Sequence, residues 1–405
     1  MTRSHRCRLL VPLALLLACG LSTVARAEWN RGIEAYNKRD WATAAKEFEE
    51  VTKTNPDYAA GFYYLGLSQR SLGNLSPALA SMQKAVELDP ANASFKIGLG
   101  HAQLQGNRPQ DAYTTLKGVD IAAVDAKQRS TYAVLFAQAA ARTNRGSEGV
   151  TVATNQLKAD PNNAGLHQAL GGAYSANGED DKAYASFKRA YELNPKDDAI
   201  ARNVVTTGIA AARRTSGAQK DQLYTSAAAI AEQLAASEPN FEHKLLAGET
   251  WLGAGEYQKA LGYFDQAKAA QPQNALVHYY HAQCNTSLNR LDPAIEDLQT
   301  ALNIGASGKL RTQIYSQLGY VYDKKQDYEK AANAYREAGN SSKVAEMQQK
   351  STAKAQNVQA DAEQDEYRRR LAALEMQIKE LEAIGEVEEA NELRKQLEQL
   401  KKALP

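Results

Sequence analysis

With 405 residues, 43% of them hydrophobic and 23% charged, the chain carries too much apolar sequence to remain disordered. That length suits two or three ordinary domains or one long repeat array. Without Arg3, Arg6, Arg8 and Arg26 of the N-terminal stretch, the 48 basic residues become 44 against 47 acidic ones, a net charge of −3 that excludes a nucleic-acid-binding footprint.

Arg3, Arg6 and Arg8 precede an apolar run from Leu9 to Ala18, and the stretch closes at Ala25-Arg26-Ala27 before Glu28. This pattern predicts a secretory signal peptide over 1–27, cleaved after Ala27. The run is too short for a permanent membrane span. Leu16-Leu17-Ala18-Cys19-Gly20 resembles the lipobox of bacterial lipoproteins, which implies acylation at Cys19. Leu17 stands where that motif usually has a smaller residue, so lipidation at Cys19 ranks behind cleavage after Ala27. The expected location is the periplasm, with outer-membrane association only through such a lipid. Cys7 and Cys19 both lie in this leader, leaving Cys284 as the sole thiol of the body and no intrachain disulfide.

From residue 28 a period of 34 organises the chain. Pro56 and Pro90 end similar runs one period apart, as do Pro161 and Pro195. Residues 164–197 show the unit best: Leu170-Gly171 and Tyr174 in a first helix, Gly178 in the turn, then Ala183, Phe187 and Ala190 in a second helix closed by Pro195. This unit resembles the tetratricopeptide repeat family. The resemblance implies an all-α, right-handed superhelical solenoid whose concave face is lined by the first helix of each pair. Gly171 and Ala183 would let the two helices cross closely beside Phe187.

Other units fall on the same frame. The first has Gly32, Ala44, Phe48 and Pro56; the second Gly66, Ala78, Met82 and Pro90; the third Gly100, Ala112 and Leu116 without a closing proline. A fourth, about 130–163, keeps Ala137 and Pro161 but has Gly149 where a helix-favouring Ala belongs. The next closing proline after Pro195 is Pro239, so 198–240 is an irregular unit with longer helices or a looped insertion near Arg214-Thr215-Ser216-Gly217. Regular units resume over 241–345 and end with Leu318-Gly319, Tyr322, Ala331 and Tyr335. Ser76-Pro77 and Asp292-Pro293 predict second helices that begin at the proline, with the preceding residue as cap. The expected plan is a leader (1–27), an N-terminal array (28–197), the irregular repeat, a C-terminal array (241–345) and a helical extension (346–405).

Where the array gives way to the extension, Val344 and Met347 are placed to seal the last repeat. Tyr367, Leu371, Leu374, Ile378 and Leu381 form one heptad stripe, and Ala390, Leu393, Leu397, Leu400 and Leu404 a second, out of register with the first. Gly385 lies between them, which predicts an antiparallel helix-turn-helix coiled coil. Such a hairpin can close on itself, form a homodimer or take a partner.

No phosphate loop, nucleophile elbow or Cys-x-x-Cys pair is present, so nothing indicates an enzyme or a cofactor. His278, His281 and Cys284 stand at i, i+3 and i+6; a metal-dependent activity there is the alternative from another functional class. Positions i and i+6 diverge by about 120° around a helix, and packed core histidines explain the residues better. In the family's frame the concave positions are Trp29, Ile33 and Tyr36, then Tyr63, Leu67 and Arg70, then Ile97, His101 and Leu104, then Gln138 and Arg142. Some family members clamp chaperone carboxylates with Lys, Asn and Arg; Trp29 and Ile33 occupy those positions here, so a greasier peptide or protein surface is the expected partner. The resemblance thus implies a non-enzymatic interaction scaffold of the bacterial cell envelope, with a lipid-anchored assembly factor as the alternative.

Overall fold

The computed structural model describes residues 23–402, which contain 20 α-helices, one short 3-10 turn and no strand. The chain divides into two compact units, residues 1–254 and 255–405.

Unit 1 begins with α1 (Thr23–Lys38), α2 (Trp41–Thr54), α3 (Ala59–Ser71), α4 (Leu75–Leu88), α5 (Ala93–Gln105) and α6 (Pro109–Lys117). After the 3-10 turn at Ile121–Ala123 come α7 (Ala126–Ala141), α8 (Gly146–Leu157), α9 (Ala164–Ala176) and α10 (Asp180–Leu193). The unit closes with α11 (Asp198–Arg214), α12 (Gly217–Ser237) and α13 (Phe241–Gly253). Each helix packs on the next in sequence, and the first helices α3, α5, α7 and α9 also touch in succession, making one continuous wall.

Local chemistry sets the helix ends. Asn92, Asn163 and Asn240 each accept a hydrogen bond from the backbone N–H three residues on, capping α5, α9 and α13. The turn between paired helices has a left-handed slot, filled by Gly73 and Gly178 but also by Arg39, Asn107 and Asn144. The predicted starts at Pro77 and Pro293 are corrected: α4 begins at Leu75 and α16 at Leu291, so each proline is the third helical residue. An N–H at that position has no intrahelical acceptor, and proline is tolerated there without acting as the boundary.

Pair packing follows one rule. A glycine of the first helix faces the large side chain sixteen residues on: a Cβ on Gly32 would lie 2.7 Å from the Phe48 ring, on Gly66 2.6 Å from Met82, on Gly100 2.6 Å from Leu116 and on Gly171 2.8 Å from Phe187. Ala44, Ala78, Ala112 and Ala183 are fully buried where the second helices cross the first. The irregular repeat resolves as two longer helices, α11 and α12, joined by a tight turn at Thr215 and Ser216 rather than by a looped insertion.

Unit 2 repeats the plan with α14 (Tyr257–Ala270), α15 (Ala275–Ser287), α16 (Leu291–Asn303), α17 (Gly308–Lys324) and α18 (Tyr328–Glu337). A Cβ on Gly319 would lie 2.8 Å from the Tyr335 ring, as the rule requires. Then comes α19 (Ser341–Ile384), a single helix of 44 residues, turning back at Gly385 into α20 (Val387–Lys402). Met347 is buried with Ala331, Ala332 and Tyr335, and Val344 packs beside it, so the start of α19 seals the last repeat. Gly385 sits at φ 86° as the left-handed C-terminal residue that lets the chain reverse.

Candidate interaction site

The residues expected on the concave face separate into two groups. Trp29 is 1% exposed, edge-on to Phe48, Tyr58 and Tyr64, in the first core with Ala44, Val51 and Leu65. Ile97 and Leu104 are buried with Tyr132, Leu135 and Phe136 of α7. Assignment of Trp29, Ile97 and Leu104 to a partner surface is therefore corrected. Phe48 of the paired second helix, with Tyr58 and Tyr64, covers Trp29, and the next first helix covers Ile97 and Leu104.

The second group remains accessible. Ile33, Tyr36 and Tyr63 are half-buried against the first core, and Leu67 packs partly on Met82, Leu99 and Ala102. Tyr36 meets Trp41 and Tyr64 edge to face at 5.1 and 5.4 Å. Tyr63 is largely a wedge between repeats: its ring lies 4.7 Å from Phe95, and a Cβ on Gly98 would approach it to 2.5 Å. Burial drives its hydroxyl far above the usual tyrosine range, so it stays neutral.

Arg70 and His101 form the polar centre of this wall. The Arg70 Nη1–H group lies 3.1 Å from His101 Nδ1, an approach that suits a neutral ring accepting at Nδ1. Burial first, and the Arg70 charge second, depress His101 to about 4, so the ring is uncharged at neutral pH. Among the described residues no carboxylate forms an ion pair with Arg70. Beyond His101, a cavity of about 310 Å³ is lined by Ser130, Thr131, Val134, Leu135, Gln138 and Asn163 as well. Gln138 therefore belongs to the site. Arg142 is exposed but committed to the preceding turn, donating to Leu104 O at 3.4 Å and Asn107 Oδ1 at 3.2 Å.

Sequence reasoning missed Ser130, Thr131, Val134, Leu135 and Asn163. One period carried forward from Ile97 and His101 reaches Thr131 and Leu135, so the 34-residue frame held part of that signal. Ser130 is positioned by Asp160, to which its hydroxyl donates at 2.9 Å. Asp160 also accepts from Asn163 at 2.7 Å, a polar link that hydrophobic periodicity does not register.

His278, His281 and Cys284 do not share a centre. Among the described residues, no group of three or more His, Cys, Asp or Glu converges as a metal site. Cys284 is fully buried, and burial pushes its thiol up to about 12, which suppresses the thiolate needed for ligation or attack. The two histidines turn instead toward buried Asp297 on α16. His281 Nδ1 lies 2.5 Å from Asp297 Oδ2, Lys268 Nζ donates to Oδ1 at 2.7 Å and Asn285 donates to Oδ2 at 3.2 Å. Burial acts to raise the Asp297 carboxyl, but the hydrogen bonds and charges of His281 and Lys268 prevail and hold it at about 2. The cluster is a satisfied ionic joint between α14, α15 and α16, with His278 at its edge, 3.4 Å from Asp297 Oδ1.

Cys19 and the leader before Thr23 lie outside the described residues. No described helix is long and apolar enough to cross a membrane.

Tetratricopeptide repeat models match residues 30–93, 217–275 and 252–309 in one case, 69–135 in a second, and 164–197 and 312–338 in a third. Over 80 residues the chain is 30% identical to the Hsp70-Hsp90 organizing protein of Triticum aestivum, a stretch that is 20% of this chain and 14% of that protein. Tetratricopeptide repeat protein 37 of Xenopus laevis is 28% identical over 159 residues, 39% of this chain and 10% of that protein. The chain thus spans only a small part of these curated relatives. A crystal structure of MamA is 22% identical, covers 44% of this chain and 94% of that one, and superposes with a TM-score of 0.38. The P58(IPK) TPR domain is 13% identical, covers 82% of this chain and 99% of that one, and has a TM-score of 0.29. The repeat models together cover well over half of the chain, in phase with its helix pairs and with the glycine contacts between them, and the protein belongs to the tetratricopeptide repeat family.

Proposed function

We propose that the protein is a non-enzymatic scaffold of the bacterial cell envelope, exported to the periplasm, that holds a segment of a partner protein along the first-helix wall of unit 1. The observation that carries this reading is the row from Tyr36 through Leu67, Arg70 and His101 to Gln138, which combines half-buried apolar surface with a guanidinium that has no carboxylate partner among the described residues. A partially desolvated cation beside aromatic rings favours a ligand that is mainly apolar and carries one acidic group opposite Arg70. The tetratricopeptide relatives support the interaction role. The charged leader and its small-residue exit support export.

A photo-crosslinking side chain at Gln138 in living cells, with exposed Lys84 on α4 as control, tests the site. The expected result is one discrete adduct at 138, none at 84, and loss of the adduct in Arg70→Glu at unchanged helicity. Equal trapping at both positions, or an adduct indifferent to Arg70→Glu, would sink the wall as the binding surface.

The second reading is lipid anchoring at Cys19. It is favoured by Ala25, which lies within α1 and is buried against the first core. Cleavage after Ala27 would remove this first turn, whereas processing at Cys19 would retain it. An intact mass of the mature protein decides: a chain starting at acylated Cys19 supports the anchor, and an unmodified chain starting at Glu28 rejects it.

A further inference from the structure

We infer that the α19–α20 hairpin pairs with the same hairpin of a second copy of this chain, the tip of each against the base of the other, in a four-helix bundle. From Ser351 to Glu366 every side chain of α19 is exposed; Lys354 still donates to Gln326 O at 3.0 Å, and beyond it about 18 Å of helix carries the hairpin away from the last repeat. The hairpin's own seam is thin: Ile378, Ala390 and Leu397 are its buried side chains, with four leucines half-buried around them. Two short helices with one such seam are marginal in water.

The outer surface supplies what a second seam needs. The four most exposed large hydrophobics of the described chain, each 59% exposed or more, are Met376, Ile384 and Val387 in the hairpin and Val358 on the stretch of α19 that leads to it. Met376 and Ile384, eight residues apart, fall on one side of α19. Elsewhere in the described residues the exposed large hydrophobics are Leu72, Ile121 and Tyr320, isolated from one another along the chain and each exposed by half or less.

The charge layout selects the occupant. Tyr367 Oη donates to Leu400 O, which fixes residues 367–370 and 400–402 as the base, and Gly385 marks the tip. The base holds Arg368, Arg369, Arg370 and Lys402, whereas the tip holds Glu386, Glu388 and Glu389. Internal ion pairs use other acids: Asp365 meets Arg368 at 3.5 Å and Glu366 meets Arg370 at 3.9 Å along α19, Glu382 meets Arg394, and Lys401 reaches Glu375 at 3.1 Å. Among the described residues the three tip glutamates form no ion pair, nor do Arg369 and Lys402. A surface acidic at one end and basic at the other is complementary to itself when reversed, and a two-fold axis across it satisfies both ends at once. Tip-to-tip pairing would instead bring like charges together.

The test uses the full mature chain in sedimentation equilibrium, with helicity followed by circular dichroism. Wild type is expected to dimerise. E386K/E388K/E389K and R368E/R369E/R370E should each weaken the dimer at least tenfold at unchanged helicity, and the sixfold charge-swapped variant should recover to within about threefold of wild type. Single cysteines report the orientation: E386C should not form a disulfide-linked dimer alone but should do so when mixed with R369C. A monomeric wild type, triple variants that dimerise normally, a swapped variant that does not recover, or self-linking by E386C would each overturn the proposal. None of these readouts depends on the concave wall of unit 1.

Discussion

Gly171 and Gly172 are neighbours on α9 with opposite surroundings. A Cβ at 171 meets the Phe187 ring at 2.8 Å, whereas at 172 nothing lies within 4 Å. Gly171→Ala is therefore expected to cost about 1 to 3 kcal/mol through overpacking, and Gly172→Ala to be neutral or stabilising by up to about 1 kcal/mol. Urea unfolding of the two variants checks the pair. Arg39 occupies the left-handed turn slot at φ 63°, one period before Gly73 in the same slot. Arg39→Gly should stabilise by about 1 kcal/mol by relieving that backbone strain, read as a raised melting temperature. Asp297, held at about 2 in the folded state against roughly 3.9 when unfolded, favours the ionised native form. Its contribution, on the order of 2 to 3 kcal/mol, is present above about pH 4 and lost as pH falls from about 4 to 2. The stability gap between wild type and Asp297→Asn should shrink over that window; a gap independent of pH would contradict the ionic joint.

At the scale of elements, nearly every helix pair follows from the sequence, because a 34-residue period and buried small residues recur together. The ends are less legible. Ser76-Pro77 and Asp292-Pro293 look like a cap and first residue, yet both helices start two residues before the proline, since the turn geometry sets the first helical residue. Tyr63 shows a different limit. Its place on α3 gives a concave direction, but the absence of a side chain at Gly98 on the next first helix opens a slot into which the ring packs. Tyr63→Ala is thus expected to cost about 2 kcal/mol and loosen the α3–α5 contact, visible as faster hydrogen exchange in both helices. Unchanged exchange there would restore Tyr63 to a ligand-facing role.

For the molecule as a whole, sequence alone determined the class: an all-α tetratricopeptide array, a cap made by Val344 and Met347, and a C-terminal hairpin turning at Gly385. These features are local or strictly periodic, so each is encoded by residues within one repeat of each other. Tertiary structure alone decided which first-helix residues are free. Trp29, Ile97 and Leu104 share a frame position with accessible neighbours, and only the closeness of adjacent helices covers them. It likewise separated His278 and His281 from Cys284 and joined the histidines to Asp297, a residue 16 and 19 positions away on the next helix. Burial and pairing depend on side chains that meet across helices, and a one-dimensional pattern fixes which way a residue points without fixing what stands in front of it.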